Sequence, residues 1–590
     1  MRTARSLLAT AASAALLFTS AAPALADHTD PKPPLATTDD PGSTELLTEG
    51  AGTWKFIRNF PANPGTDLRL FRKRGRLFAS AGTLGQADEQ HVGQRIIRLV
   101  TKRGKVRPRW IADHGSANCP TANPQGTTGL QHDVTLGPTR NPKILVDATD
   151  AIGRCHDPEG GGLEIVDISK IHKKKFKPRE IHLTRHSGTS HNSTVDVKRP
   201  WIVYNSSSQA TAMPWIDVLN IKSCLKKGLK GLKAKRAACR PKVYRIYFKD
   251  KWARRIDTSG ETVPTTESAC HDIHSTRNRI YCANANSTIV LNVRRLTRRN
   301  GSIRGTPLKC EVVDGTLTSA KVTDCSNLEE VGNGQARGWS YFGHVNHPGR
   351  NGSHNTNTDV ESTEGVAVSH EAEPTPNKKF MFVTDERGGG VVPGGSSCTA
   401  APNPYGNGGV HVFKLGGGGQ FEYAKAPDGS KAVFIGDVLV PAGTFCTAHV
   451  MHQIPREQRF VIAWYSQGTK IVDWFVKNGR WTFRETASVV PQGPNANTWT
   501  SHVFKIVKRK NGKRTYYFMA TDITRGIDIF SWTGRPHRKT PVTSPVPTPA
   551  ERTDKAPSEA PAEAVALGAL GLAVAGPILR RRMRLPIDLV

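Results

Sequence analysis

Acidic residues are scarce in this chain of 590 residues: 50 Asp and Glu stand against 82 Lys and Arg, a net charge of +32. An acidic solvating protein is therefore excluded. The interior has no long apolar run, and a mean hydropathy of −0.44 excludes a multi-pass membrane protein while leaving room for one terminal anchor. The 55 Gly and 39 Pro follow no Gly-X-Y period, which excludes collagen, and their share stays below that of disordered chains. GxSxG, P-loop and HExxH signatures are missing from the body, so no standard hydrolase or nucleotide site is visible. None of the cysteine spacings makes a CxxC zinc site.

What is present begins with the ends. Arg2 and Arg5 precede an apolar run from Leu7 to Phe18 and then Ala24-Leu25-Ala26; this order predicts a signal peptide over residues 1–26, cleaved after Ala26. Residues 27–64 read as an N-terminal extension. Residues 536–563, rich in Pro, Ala, Ser and Thr, read as a semi-extended linker. The uncharged residues 564–579 are followed by Arg580, Arg581, Arg582 and Arg584 in the tail 580–590. That pattern predicts a single transmembrane helix with the body outside the cell. At ~1.5 Å per residue the segment is short for a ~30 Å hydrocarbon core, and a C-terminal helix docked on the body is the alternative.

Ten cysteines fit an exported protein: Cys119, Cys155, Cys224, Cys239, Cys270, Cys282, Cys310, Cys325, Cys398 and Cys446. An even count in an oxidising compartment predicts disulfides. Cys270 and Cys282 lie symmetrically about an apparent hairpin, where opposed Cβ atoms are close enough to bridge. Pairing in sequence order is the expectation for the rest.

Between the ends, short β-branched and aromatic runs alternate with Gly, Pro, Asn and Asp clusters, the pattern of an all-β body. A unit recurs six times: a His, a hairpin, a strand ending in Asn or Asp, and an alternating Ile/Val/Asp strand. Its heads are TTGLQHDV, SGTSHNST, ESACHDIH, GVAVSHEA, TFCTAHVM and TWTSHVFK. A degenerate copy from Gly65 carries Asp67 in place of His. Units of this size cannot bury both faces alone, and closure into a ring removes open edges. The expectation is a seven-bladed β-propeller with long insertions over residues 65–535, a pair of β-sandwiches being the alternative. The GTD opening, GGLEIVDIS and TKIVDW resemble LVIVD-repeat-containing bacterial extracellular β-propeller proteins. That resemblance implies a fold and carries over no catalytic residues.

His132, His191, His271, His370, His449 and His502 are the repeat histidines. Near the start of each inner strand they approach a common axis, where with Asp67 they offer a site for copper or zinc. The alternative is that each His bonds a neighbouring blade's backbone and locks the ring. In the pairs His271/His274 and His449/His452 only the first is expected to face the channel, because i and i+3 on a strand point to opposite faces. Asn205, Asn284, Asp385 and Asp522 read as strand-end caps, with calcium ligation the lesser alternative. The segment His344 to His354 reads as a flexible insertion.

Basic residues cluster from His172 to Arg179, from Lys222 to Lys242 and from Lys505 to Arg514. Lys226, Lys227, Lys230, Lys233, Lys235 and Arg236 are the candidate contacts for anionic cell-wall polymers or lipid headgroups, while no pattern points to nucleic acid. The sequence favours a membrane-tethered surface binding or scaffold protein, because a repeat is visible and a catalytic signature is not. A metal-dependent extracytoplasmic oxidoreductase is the alternative.

Overall fold

The computed structural model describes residues 46–537 apart from 62–64, 84–92, 103–104, 116–130, 138–140, 151–161, 174, 186–189, 207–214, 248–253, 257–261, 265–269, 285–286, 315–319, 326–333, 348–364, 388–405, 417–418, 441–444 and 492–495. The expected signal peptide, linker, membrane helix and basic tail, with Cys119, Cys155 and Cys398, lie outside the described residues. Among those described, no helix is long and apolar enough to cross a membrane.

Seven antiparallel sheets follow one another along the chain. Their innermost strands are Gly65–Lys73, Gln131–Gly137, Ser193–Val195, Ile273–Ser275, Ser369–Pro374, Met451–Gln453 and Thr498–Lys508, here numbered blades 1 to 7. Inner strands of neighbouring blades pack side by side, and that of blade 7 packs against that of blade 1. The expected seven-bladed β-propeller is the fold.

Blade sequences explain the stacking. In Gly162–Asp167 every residue but the last is buried, because a blade is covered on both faces by its neighbours and so needs apolar residues on both. Seven large apolar clusters fill the seven contacts between blades: Phe382 and Phe460 share one, Ile216 and Ile289 another, Leu68 and Met519 a third. Hairpin turns supply the reversals. Asn478 and Gly479, both at positive φ (51° and 73°), join Thr469–Lys477 to Arg480–Pro491 in the two-residue geometry that matches strand twist.

The propeller begins earlier than residue 65. Thr53–Phe60, assigned from sequence to an extension, is the outermost strand of blade 7, antiparallel to Gly526–Gly534. Leu46–Gly50 adds a fifth strand to blade 6. The strand TWKFIRNF was misassigned because its partners lie more than 460 residues away. Trp54 packs on Phe518 and Phe530, and Trp532 Nε1 donates to Ala51 O at 2.8 Å. Next to this closure, Arg459 of blade 6 donates from Nε and Nη2 to both oxygens of Asp473, at 2.5 and 3.0 Å, and from Nη1 to Tyr516 Oη of blade 7 at 3.1 Å.

Insertions lace the outer rim. Lys321–Asp324, from the insertion in blade 4, pairs in parallel with Arg179–Arg185 of blade 2. Cys310–Cys325 staples that insertion, and Cys270–Cys282 and Cys224–Cys239 are the other described bridges; Cys446 is disulfide-bonded as well. The Cys270–Cys282 bond forms in a hairpin whose register differs from the symmetric one expected: Ile273, not Cys270, opposes Cys282. His344 ends no loop either. It lies in Ser340–Asn346 of blade 4, and buried His347 hydrogen-bonds Thr288 Oγ1 at 3.0 Å; His354 is outside the described residues.

The basic segment is a docked element. Helix α1 (Gly231–Ala238), closed by Cys224–Cys239, pairs Lys235 with Asp167 and Arg236 with Glu180. Cys239 is fully buried with Leu225 and Leu232 against it. Lys226, Lys227, Lys230 and Lys233 remain exposed. Lys235 and Arg236 are thus largely committed to blade 2, and the segment contributes to the core, contrary to its reading as a free insertion.

Candidate metal centre at one end of the channel

A one-residue bulge at the head of the inner strand recurs around the ring. In blade 3 His191 N donates to Ser206 O (3.0 Å) and Ser206 N to Asn192 O (2.9 Å), so two residues oppose one before the ladder resumes at Ser193↔Asn205. Blade 4 repeats this with His271 and Asp272 against Ala283, and blade 6 with His449 and Val450 against Ala463. In blade 5 the register shifts between Ser369 and Ala372, enclosing His370 and Glu371. Bulges re-aim side chains; here they turn four imidazoles toward one axis.

The rings touch in sequence. Ring centroids are 4.0 Å apart for His191 and His271, 4.5 Å for His271 and His370, and 4.1 Å for His370 and His449. Glu386, fully buried, follows the second strand of blade 5 and reaches into the arc. Its Oε2 lies 4.0 Å from His271 Nε2 and 3.7 Å from His370 Nε2, while Oε1 lies 3.3 Å from His449 Nε2. Tyr465 Oη donates to Oε1. Tyr465 itself is at φ 42°, a conformation that costs a bulky residue roughly 1–3 kcal/mol and is held where function needs it.

His449 makes the bond to a neighbouring blade's backbone considered from sequence. Its Nδ1 lies 2.6 Å from the Trp499 carbonyl of blade 7. A carbonyl only accepts, so Nδ1 carries a proton, and Nε2 is the ring atom that faces Glu386 Oε1. His449 Nε2 and Glu386 Oε1 face each other at 3.3 Å, and Glu386 Oε2 has no hydrogen-bond donor among the described residues. Tetrahedral ligands at ~2.1 Å from zinc lie ~3.4 Å apart, close to the 3.3, 3.7 and 4.0 Å found, and the donor set of imidazole and carboxylate suits copper or zinc. Two sets of three donors lie mutually within 4.8 Å, His271–His370–Glu386 and His191–His271–Asp272.

Below lies a second tier. Because a bulge absorbs one residue, positions i and i+3 end on the same face, and the expectation that His274 and His452 turn away fails for this reason. His274 Nδ1 lies 3.6 Å from Glu373 Oε1, and the His452 and His502 rings are 4.6 Å apart. In blade 7 the bulge falls between Thr498 and Thr500, so Trp499 stands where the other blades have His and His502 is three residues on, outside the upper arc. Burial, with His452 beside it, holds the His502 imidazole well below its usual range. Asp67 sits at the bulge of blade 1, near enough to His191 to feel its charge. His132 lies in Gln131–Gly137, its side chain outside the described set.

Sequence reading missed Glu386, Asp272, Tyr465 and Trp499. One signal was available: Glu386 replaces the Ser206 and Ala285 that follow the strand-ending Asn in blades 3 and 4. Of the strand-end residues, Asp385 and Asp522 cap turns as read. Asp385 accepts N–H bonds from Ala367, Val368 and Gly408 at 2.7 to 3.0 Å.

Burial raises the Asp67, Asp272 and Glu371 carboxyls, and raises Asp133 to about 6 against the pull of Arg69 and the Ser193 N–H. A carboxyl raised in the folded state contributes stability below its unfolded pKa, and that contribution is lost as pH rises through about 6. Metal-free protein is therefore expected to melt at a lower temperature at pH 7.5 than at pH 5.5, and Asp133→Asn is expected to reduce that difference. Thermal unfolding at the two pH values checks it; an equal difference in the variant would assign the effect elsewhere.

Seven sheets in a closed ring define a seven-bladed β-propeller. No protein-family model matches the chain. No curated protein matches it either. Among solved structures it is similar to the β-propeller domain of Myceliophteria_thermophila Cps50 (Swd1), at 8% identity over 81% of this chain and 99% of that one, with a TM-score of 0.37. Sqt1 from Chaetomium thermophilum gives 9% identity, coverage of 82% and 99%, and a TM-score of 0.37. The Neurospora crassa Pan2 WD40 domain gives 8%, 82% and 98%, and 0.35.

Proposed function

We propose that His271, His370, His449 and Glu386, with His191 alongside, hold one transition-metal ion, and that the protein is an exported metal-dependent oxidoreductase. The observation that carries this reading is the convergence of three imidazole Nε2 atoms on the buried Glu386 carboxylate, at 3.3 to 4.0 Å. Copper is preferred to zinc, since nitrogen and oxygen donors bind it most tightly among the divalent first-row metals. Bound there, copper would supply one-electron chemistry. His449 is fixed as an Nε2 donor by Trp499, and Tyr465 holds the carboxylate in place.

Export and a C-terminal tether belong to the same proposal. The described disulfides support an oxidising compartment, and the resemblance to LVIVD-repeat proteins supports an extracellular setting. The test is metal analysis of the exported protein purified without a histidine tag, with electron paramagnetic resonance to identify Cu(II) on nitrogen ligands. One copper per chain is expected. Zinc alone would replace redox by Lewis-acid chemistry, and protein that takes up neither metal would leave surface binding as the function.

A further inference from the structure

A second site lies on the rim, away from the channel. The insertion of blade 4 folds into a short ladder, Arg304–Gly305 against Ala336–Arg337, in which Arg304 and Arg337 are directly opposed. Opposed residues of a ladder share a face, and like charges there repel. Arg295 and Arg298 join them around a cavity of about 780 Å³. No carboxylate pairs with any of these four guanidinium groups among the described residues, whereas the basic side chains of helix α1 found Asp167 and Glu180.

The floor is backbone. Gly305 has φ 112°, and a Cβ there would meet Gln335 O at 2.0 Å; a Cβ on Gly338 would meet Arg295 O at 2.2 Å. Glycine at both positions keeps the ladder closed beneath the guanidinium groups. The Arg298–Ser302 turn is anchored on blade 3, where Trp201 Nε1 and Lys222 Nζ donate to Gly301 O and Asn300 O, each at 3.0 Å. The cleft thus has a fixed floor and four guanidinium groups that no carboxylate pairs with among the described residues.

We propose that this cleft binds an anion bearing at least two phosphate groups, as in a phosphate-containing polymer strand. Guanidinium forks pair bidentately with phosphate oxygens, and four such groups around one cavity exceed what a single phosphate needs. Such a ligand also neutralises the Arg304–Arg337 opposition. The polyanion contact expected at Lys226, Lys227, Lys230 and Lys233 is thereby moved to the arginine cleft.

Tripolyphosphate, inorganic phosphate and a polyglutamate of matched charge are the probes, titrated by calorimetry into the exported protein. Tripolyphosphate is expected to saturate one site, to bind at least tenfold more tightly than either other probe, and to weaken as salt rises from 50 to 200 mM. Arg304→Gln with Arg337→Gln is expected to weaken it at least tenfold, and Lys226→Gln with Lys227→Gln to change it less than twofold. Without probe, the arginine variant is expected to melt no lower than wild type, because a repulsive pair has been removed. Absence of saturable binding, an affinity for tripolyphosphate equal to that for either other probe, equal losses in the two variants, or a lower melting temperature of the unliganded arginine variant would each overturn the proposal.

Discussion

Ala at both His271 and His370 is expected to reduce bound metal to less than about a tenth of the wild-type content, the largest functional effect the arrangement predicts. These rings supply two of the three nitrogens nearest Glu386, and the arc offers no replacement at the same distance. Glu386→Gln keeps the shape but removes the charge. Affinity should fall by roughly 100-fold, the upper end of what loss of a supporting group costs and a floor for a direct ligand. Tyr465→Phe should cost less, about tenfold, because the hydroxyl acts on the carboxylate and not on the ion. Competition with a chromophoric chelator measures all three. Full retention of metal in the double variant would place the ion elsewhere.

Arg459→Leu should be the most destabilising single change, by about 3–5 kcal/mol, since removing one partner of a buried ion pair strands the other charge. Arg459 is 2% exposed, and Asp473 and Glu457 1% each. The same change also breaks the link to Tyr516 across the blade 6–7 contact. Burial alone would raise the Asp473 carboxyl, yet hydrogen bonding and charge from Arg459 hold it below its usual value. A lowered carboxyl contributes stability above its unfolded pKa, ~3.9, and loses it as pH falls further. The gap between variant and wild type in denaturant midpoint should therefore be full at pH 7 and shrink below about pH 4. A gap independent of pH would show that packing, not charge, carries the loss.

Blade count and strand positions were legible because strands such as GLEIVD, buried on both faces, repeat with their hairpins. The histidine arc was legible in the same way, through residues at matching places in the unit. What escaped was the bulge. A single extra residue leaves no mark in composition or period, yet it decides whether His274 and His452 face the channel and makes Trp499, not His502, the counterpart of His449. The closing strand escaped because pairing over such a distance has no local signature, and Lys235 and Arg236 because charge alone does not show a partner on another blade.

The closing strand also sets a timetable. Asn59 donates to Arg525 O and to Asp528 Oδ1, contacts that span 466 and 469 positions. Residues Thr53–Phe60 are made before the rest of the propeller and must wait, unpaired, until Gly526–Gly534 has been delivered. Contacts of such separation are entropically costly and slow to form, so blades 1 to 6 assemble before the ring is sealed. A chain cut short in synthesis keeps an open blade edge and a stranded apolar segment with Trp54 at its head. Completion of the polypeptide is thus read out as closure, and prematurely ended chains remain visible to proteases by that exposed edge.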